Sequence, residues 1–320
     1  MSSVDKIDLI NKLKEGKTLQ DEELKLLFSG ESVYDDEQMK QISTGLENGV
    51  DVSIYTVLNK DGKPVYDYDQ MEQIREGLET SVDVAIYTVL NKRGEPVYDS
   101  GQMIRIREGL EAGVDVSIYT ILDTDGKPVY GWAQMKEIFE GLENGIDVSM
   151  YTVLNKDGKP VYDKWQMGQI REGLEKGVDV SKYTVLDKDG KSVYDSLQMG
   201  QIRYGLEKGL DISKYAVLNK DDESVYEYKQ MCQICWGLET NIDISKYTVL
   251  DKNGKPVYDD EQMGAIRVSL EKGEDVSHLL VHDTNEPETM RTVNHNSFFL
   301  CSDDIDETSG SNDYDMQQEV

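Results

Sequence analysis

Apolar and polar positions along the chain follow one pattern that returns every 32 residues. In the second copy, Met71, Ile74 and Leu78 are spaced three and then four residues apart, which predicts a helix with a single apolar stripe. A fixed period of this length is typical of a repeat architecture. The recurring Gln-Met pair begins at Gln38, Gln70, Gln102, Gln134, Gln166, Gln198, Gln230 and Gln262.

Both ends of the repeated helix are marked in the sequence. Asp67 is a favoured N-cap residue, and Gln70 at the third helical position completes a capping box. The helix is predicted to run from Tyr68 to Glu79 and to end just before a residue in the left-handed conformation. The recurring glutamine therefore has a structural role that needs no catalytic explanation.

Glycine also recurs inside the helix, where it costs about 1 kcal/mol relative to alanine. It occupies this position in seven copies, from Gly45 to Gly237, and the eighth copy has Ser269. The repeated cost indicates a shared steric need, and we expect a neighbouring backbone to pack closely there. Ser269, together with Glu274 at an otherwise apolar position, predicts a final unit with nothing stacked beyond it.

Two short strands are predicted in the remainder of each copy. Thr56-Val57-Leu58 and Pro64-Val65-Tyr66 flank an Asp-Gly turn, and Pro64 favours an edge position. The segment 82–87 is interpreted as a turn that reverses the chain. The predicted fold class is α+β: a repeat solenoid of eight 32-residue units, each one helix plus a short β-hairpin. Because one unit buries too little apolar surface to offset its conformational entropy, the units must stack.

Three regions are predicted along the chain. Residues 1–37 are a degenerate N-terminal capping unit, residues 38–280 the eight-repeat solenoid, and residues 281–320 an acidic disordered tail. In the tail, Phe298-Phe299-Leu300 lies near the acidic run 303–307. Two roles are open for this tail: a docking peptide for a partner, or a strap over the exposed edge of the last repeat.

The net charge of -29 narrows the classes of partner. Lysine and arginine are interspersed with the acidic residues of the repeats, so no basic patch is available for direct nucleic-acid binding. The chain has no apolar run near the roughly 20 residues that span a bilayer, and residues 1–30 lack a signal-peptide pattern. Three cysteines do not make a disulfide framework. We expect a cytoplasmic protein without membrane association.

Candidate catalytic and metal-binding motifs fail in detail. The loop 187–190 suggests calcium, but aligning its glycine puts Val185 and Ser196 at ligand positions. Cys232 and Cys235 are a lone pair, whereas structural zinc needs four ligands. All three histidines follow residue 277, and none accompanies a nucleophile. We therefore predict that the protein is not an enzyme and that it binds no metal or cofactor.

The copies differ most on the helix face away from the apolar stripe. A stripe through the first helical position and every fourth residue after it lies about 90° or more from the apolar stripe and is expected to face solvent. Aromatic residues are found on this variable face, at Trp132, Trp165, Trp236, Tyr68, Tyr204 and Tyr228. With Phe298 and Phe299, they are the predicted partner-binding residues, because exposed aromatic side chains are typical interface anchors. The alternative is that they pack on an adjacent hairpin.

The string Gln-Met-x-x-Ile-Arg-x-Gly-Leu-Glu-x-Gly-x-Asp-Val-Ser-x-Tyr is complete in Gln166–Tyr183. It resembles a short repeat of poorly characterised proteins from gut Firmicutes and their phages and mobile elements. The resemblance extends over residues 38–280 and departs from that repeat in the Asp-Gly segment between helices. It implies no catalytic residues.

The preferred functional hypothesis is a non-catalytic protein-binding repeat scaffold that docks another protein through its exposed, aromatic-bearing helix face. The alternative is an acidic decoy, a DNA-mimic-like inhibitor of a basic nucleic-acid-binding protein, as in phage or mobile-element anti-defence. That alternative rests on the net charge and on the resemblance. A third class, a surface-attached repeat protein, lacks an export signal in this sequence.

Overall fold

The computed structural model describes residues 32–280, in which eight helices recur at a fixed spacing. They are α1 (Asp36–Glu47), α2 (Tyr68–Glu79), α3 (Ser100–Ala112), α4 (Trp132–Glu143), α5 (Lys164–Glu175), α6 (Ser196–Glu207), α7 (Tyr228–Glu239) and α8 (Asp260–Glu271). A short 3₁₀ helix follows each of the first seven, at Val52–Ile54, Val84–Ile86, Val116–Ile118, Val148–Met150, Val180–Lys182, Ile212–Lys214 and Ile244–Lys246. The predictions for residues 1–31 and for the tail, including Phe298 and Phe299, lie outside the described residues.

The predicted helix bounds and capping boxes are confirmed. α2 runs from Tyr68 to Glu79; Asp67 accepts the Gln70 N–H at 2.8 Å, and Gln70 Oε1 accepts the Asp67 N–H at 3.1 Å. At Gly131 and Glu227, only the glutamine half of the box forms. The predicted left-handed stop is present after every helix, at Gly49, Ser81, Gly113, Gly145, Gly177, Gly209, Asn241 and Gly273.

The predicted β-hairpins are wrong, and the α+β class with them, because residues 32–280 contain no strand or sheet. The two arms of the turn meet at one isolated antiparallel pair, Leu58 opposite Pro64. The turn itself is real: Asn59 N donates to Lys63 O at 2.8 Å. Each arm has only two or three residues before the chain enters the 3₁₀ helix or the next N-cap, so the pairing cannot extend into a ladder. Each repeat therefore consists of a helix, a 3₁₀ helix and a turn.

The segment interpreted as a reversing turn is the 3₁₀ helix. Asp83 begins it by accepting the Ala85 N–H at 3.1 Å. Val84 and Tyr87 are buried beside it. This short helix places Tyr87 against the preceding α-helix, in the core of the repeat.

The apolar stripe of the helix forms that core, as predicted. Met71 and Ile74 are fully buried, and Leu78 is half-buried. Tyr66 and Tyr87 complete the core, and both hydroxyls find backbone acceptors. Tyr66 Oη donates to a carbonyl oxygen at 2.9 Å and Tyr87 Oη to another at 3.1 Å. Burying a tyrosine is inexpensive when its hydroxyl is bonded in this way.

The helical glycines make room for a tyrosine of the same repeat. The prediction that a neighbouring backbone packs closely there is therefore wrong. A Cβ on Gly77 would collide with the Tyr87 hydroxyl, which donates to the Gln73 carbonyl oxygen one turn earlier. In the last copy Ser269 replaces the glycine, and Leu279 replaces the tyrosine. The serine is therefore explained by the missing tyrosine hydroxyl, whereas the prediction that nothing stacks beyond this copy lies outside the described residues.

The described residues divide into two compact units. The first holds residues 32–177 with 189–192, and the second holds 178–188 with 193–280. In the first unit the helices α1 to α5 pack in succession, and in the second unit α6 to α8 do so. Glutamine side chains connect successive helices, since Gln70 Nε2 donates to Tyr98 O, just before the cap of α3, at 2.9 Å.

Exchanging the glycine–tyrosine pair tests the steric account. Gly109→Ser and Tyr119→Leu are each expected to lower the free energy of unfolding by about 1–3 kcal/mol, through a clash and through lost packing respectively. Together they recreate the Ser269 and Leu279 pair of the last copy, so the double variant should be at least about 1 kcal/mol more stable than the sum predicts. Urea unfolding measures this coupling. Additive effects would contradict the account.

The buried tyrosines predict a loss of stability at high pH. Burial raises the pKa of Tyr66 and Tyr130 to about 12 and also raises the pKa of Tyr87. Tyrosines of the unfolded chain ionise near pH 10, so above that pH the folded chain holds more protons. The stability that the buried tyrosines contribute should be fully present below about pH 10 and should be lost as the pH rises towards 12. Tyrosinate absorbance and helical circular dichroism should then change in one step. Ionisation of the buried tyrosines near pH 10 with the helices intact would refute this.

Candidate partner-binding surface

The helix stripe predicted to face solvent is only partly exposed. Its middle position faces the preceding helix: Gly168 of α5 lies against Glu137 of α4, and Cys232 of α7 donates to Gln201 Oε1 of α6 at 3.3 Å. Because consecutive helices pack side by side, this position belongs to the helix–helix contact. The expectation that the whole stripe faces solvent is therefore wrong.

Three of the predicted aromatic residues are exposed in the first turn of their helices. Tyr68 begins α2, Trp132 begins α4, and Trp165 is the second residue of α5. Their exposed fractions are 43%, 49% and 64%, respectively. They lie ahead of the fourth helical position, where the buried methionine begins the apolar stripe. We call Tyr68, Trp132 and Trp165 the first-turn aromatics.

The two first-turn tryptophans lie on helices that pack against each other, α4 and α5. A Cβ on Gly101, near the start of α3, would lie 3.2 Å from the Cβ of Trp132, so the glycine leaves room for the base of that side chain. The Lys164 ammonium lies 4.3 Å from the centroid of the Trp165 ring, within cation–π range. Both side chains are thus supported at one side and remain open to solvent at the other.

Tyr204 and Trp236 are the ninth residues of α6 and α7, respectively. Each contacts a residue of the next helix in the second compact unit. Tyr204 Oη donates to Glu239 Oε1 of α7 at 2.6 Å, and this hydrogen bond is the main cause that raises the pKa of Tyr204 to about 12. The Arg267 guanidinium of α8 lies 5.0 Å from the centroid of the Trp236 ring. These two side chains therefore join helices. Tyr228, the first residue of α7, is half-buried.

The role of Trp236 follows from the ion pairs at the same position in the first unit. There, Arg107 donates through Nε to Gln73 Oε1 at 3.0 Å and pairs with Glu76 at 3.1 Å, both on the preceding helix. Arg267 likewise donates through Nε to Gln233 Oε1 at 3.0 Å. Trp236 lies beside Arg267 at the position where Glu76 lies beside Arg107, so an indole ring replaces a carboxylate as the neighbour of the arginine.

Sequence reasoning missed two exposed apolar features. Leu197, the second residue of α6, is exposed at the position that Trp165 occupies in α5. Comparison of that helical position across the copies would have found it. The second feature is the aliphatic pair beside the turns of the repeats, concealed because the same residues read as hairpin strands. Exposed members of these pairs are Val89-Leu90, Ile121-Leu122, Val153, Leu186 and Val249-Leu250.

Metal-binding groups and membrane-spanning helices are absent from residues 32–280. In that range, no three histidine, cysteine, aspartate or glutamate side chains are grouped so as to hold a metal ion. Cys232 and Cys235 are both buried in α7. None of the helices in the same range combines the length and apolar content needed to cross a membrane.

The repeated helices, their shared caps and the glutamine links define a tandem helical repeat protein. A scan against protein-family models, a search of curated proteins and a search of solved structures found no match. The resemblance of the repeat string to proteins of gut Firmicutes and their mobile elements stays a prediction.

The exchange of indole for carboxylate can be tested at Trp236. Trp236→Ala should lower the free energy of unfolding by about 1–2 kcal/mol, because it removes the cation–π contact and part of the buried surface. Trp236→Glu restores an ion pair with Arg267 and should be more stable than Trp236→Gln, the uncharged variant of matched size, by up to about 1 kcal/mol. Urea midpoints at low and high salt measure the difference, which salt should reduce. Equal stability of the Glu and Gln variants at low salt would contradict the assignment.

Proposed function

We propose that this protein is a non-catalytic repeat scaffold that binds another protein through its first-turn aromatics. The observation that supports this most directly is the exposure of Trp132 and Trp165, 49% and 64%, on the adjacent helices α4 and α5. Exposed tryptophans on an otherwise polar surface are typical anchors of protein interfaces. A partner that covers both indoles would desolvate two neighbouring anchors at once.

The repeats themselves do not require aromatic residues at these positions. Asp36 and Ser100 begin α1 and α3, and Ala133 is the second residue of α4, in helices with the same caps and the same stripe. In contrast to Trp236, neither Trp132 nor Trp165 replaces an ion-pair partner of a neighbouring arginine. This absence of a packing requirement favours a role in binding.

The charge arrangement supports a scaffold over an acidic decoy. Many glutamates of the helices are paired within the stack: Arg171 contacts Glu140 of the preceding helix at 2.9 Å and Glu175 of its own helix at 2.8 Å. Much of the acidic charge is therefore neutralised locally. A decoy would need a dense array of unpaired carboxylates to compete with nucleic acid.

Paired substitutions test the proposal. Trp132→Ser and Trp165→Ala introduce residues that the same helical positions already hold at Ser100 and Ala133, so the melting temperature should change little. A partner captured from the native cell by the unaltered chain should bind the double variant at least about thirtyfold more weakly, as expected for two anchors. Trp236→Glu is the control, because it removes an indole outside the proposed surface.

The salt dependence of the measured affinity separates the two functional hypotheses. Binding through the first-turn aromatics should weaken only modestly as ionic strength rises, whereas decoy binding should weaken steeply. Unchanged affinity of the double variant, with or without a lowered melting temperature, would overturn the proposal and favour packing as the role of these tryptophans.

A further inference from the structure

The turn between α7 and α8 carries an exposed aliphatic pair. Val249 and Leu250 are 43% and 38% exposed, and Leu250 forms an isolated bridge with Pro256. The pair is held in place by the turn, because Asp251 N donates to Lys255 O at 2.8 Å. Two adjacent aliphatic side chains on a rigid turn offer a small apolar surface that the described residues leave open.

Three exposed lysines surround this pair in the sequence. Lys246 ends the preceding 3₁₀ helix, and Lys252 and Lys255 lie in the turn. Among the described residues, none of the three lies within 4.0 Å of a carboxylate oxygen. Hydrogen bonds lower the pKa of Asp243 and Asp251, and the weaker attraction of Lys246 and Lys255, respectively, contributes to this lowering. The carboxylate between them, Asp251, accepts the Lys255 N–H at 2.9 Å, and backbone hydrogen bonds of this kind lower its pKa. Its negative charge is therefore engaged within the turn. We call Lys246, Val249, Leu250, Lys252 and Lys255 the lysine-flanked patch.

A ligand for this patch should combine acidic groups with large apolar side chains. Residues 298–307 of the same chain have this composition: Phe298-Phe299-Leu300 is followed by Asp303, Asp304, Asp306 and Glu307. On a protein of net charge -29, most of the surface would repel such a segment. The patch complements it in both charge and polarity.

The length of the connecting chain permits this contact. The described residues end at Leu280, in the same unit as the patch, and residues 281–297 separate that point from Phe298. An extended chain covers about 3.3 Å per residue, so this connection spans up to about 55 Å. A tethered segment within reach has an effective concentration in the millimolar range, so weak contacts suffice to hold it.

We propose that residues 298–307 dock in cis on the lysine-flanked patch. The aromatic side chains of the segment cover Val249 and Leu250, and its carboxylates pair with Lys246, Lys252 and Lys255. The interaction closes the apolar surface of the last complete turn. It is independent of the first-turn aromatics, which lie in the other unit.

The full-length chain can report this docking through its own cysteine. Cys301 lies within the proposed segment, whereas Cys232 and Cys235 are 1% and 0% exposed. A fluorophore attached to Cys301 should show high anisotropy in the native protein. Lys252→Glu with Lys255→Glu should weaken docking at least about tenfold and lower the anisotropy towards that of the urea-unfolded chain. Leu250→Asn should lower it as well.

Two further variants make the assignment specific. Lys60→Glu with Lys63→Glu changes the same turn positions in the first unit and should leave the anisotropy unchanged. Adding Asp303→Lys and Asp304→Lys to the Lys252 and Lys255 variant should restore high anisotropy, because the charges are exchanged across the contact.

Three results would overturn the proposal. One is an anisotropy that Lys252→Glu with Lys255→Glu leaves unchanged. The second is an equal loss in the Lys60 and Lys63 variant, since that places the segment elsewhere or makes the attraction non-specific. The third is an anisotropy that depends on protein concentration, which identifies a second copy as the site of docking.

Discussion

Within each of the two compact units, the stacking of the repeats depends on a recurring side-chain amide. Gln102 Oε1 accepts the N–H of the N-cap residue Asp99 at 3.0 Å, and its Nε2 donates to Tyr130 O at 2.9 Å. The first bond sets where α3 begins, and the second sets where the chain enters α4. The amide supplies both an acceptor and a donor, whereas an ionised glutamate would place an acceptor against the carbonyl oxygen. Helix initiation and helix stacking are thereby coupled in one side chain.

A second constraint acts within each repeat and explains why a glycine is kept inside the helix despite its cost in helix stability. The Tyr119 hydroxyl reaches the Arg105 carbonyl oxygen across Gly109, at 3.1 Å, so a side chain and a backbone close the core together. The fixed period follows from these two contacts. An inserted residue would displace either the tyrosine from its carbonyl or the glutamine from the next cap, and both groups would be buried without a partner.

Local signals were enough to predict the helices, and longer-range contacts were the source of the errors. The Asp67 cap, the Gln70 box and the left-handed residue Ser81 act within one helix, so the sequence contains all the information needed. The turn around Asn59 was also recognised correctly, but its arms are shorter than a strand requires. The packing partner of Gly77 lies ten residues away at Tyr87, and nothing in a helical pattern indicates which distant group fills the space above a glycine.

The same distinction separates the aromatic residues. The ninth helical position is constrained from outside where an arginine of the next helix lies against it, as Arg107 does at Glu76 and Arg267 at Trp236; these are two solutions to one packing problem. The first two helical positions meet no such demand, since the cap and the glutamine already hold the chain there. Trp132 and Trp165 therefore stand at positions that hold Ser100 and Ala133 in other copies. Trp132 lies against Gly101 and Trp165 against Lys164 at one side, but the rest of each indole is exposed, so packing within the repeats engages only part of each side chain.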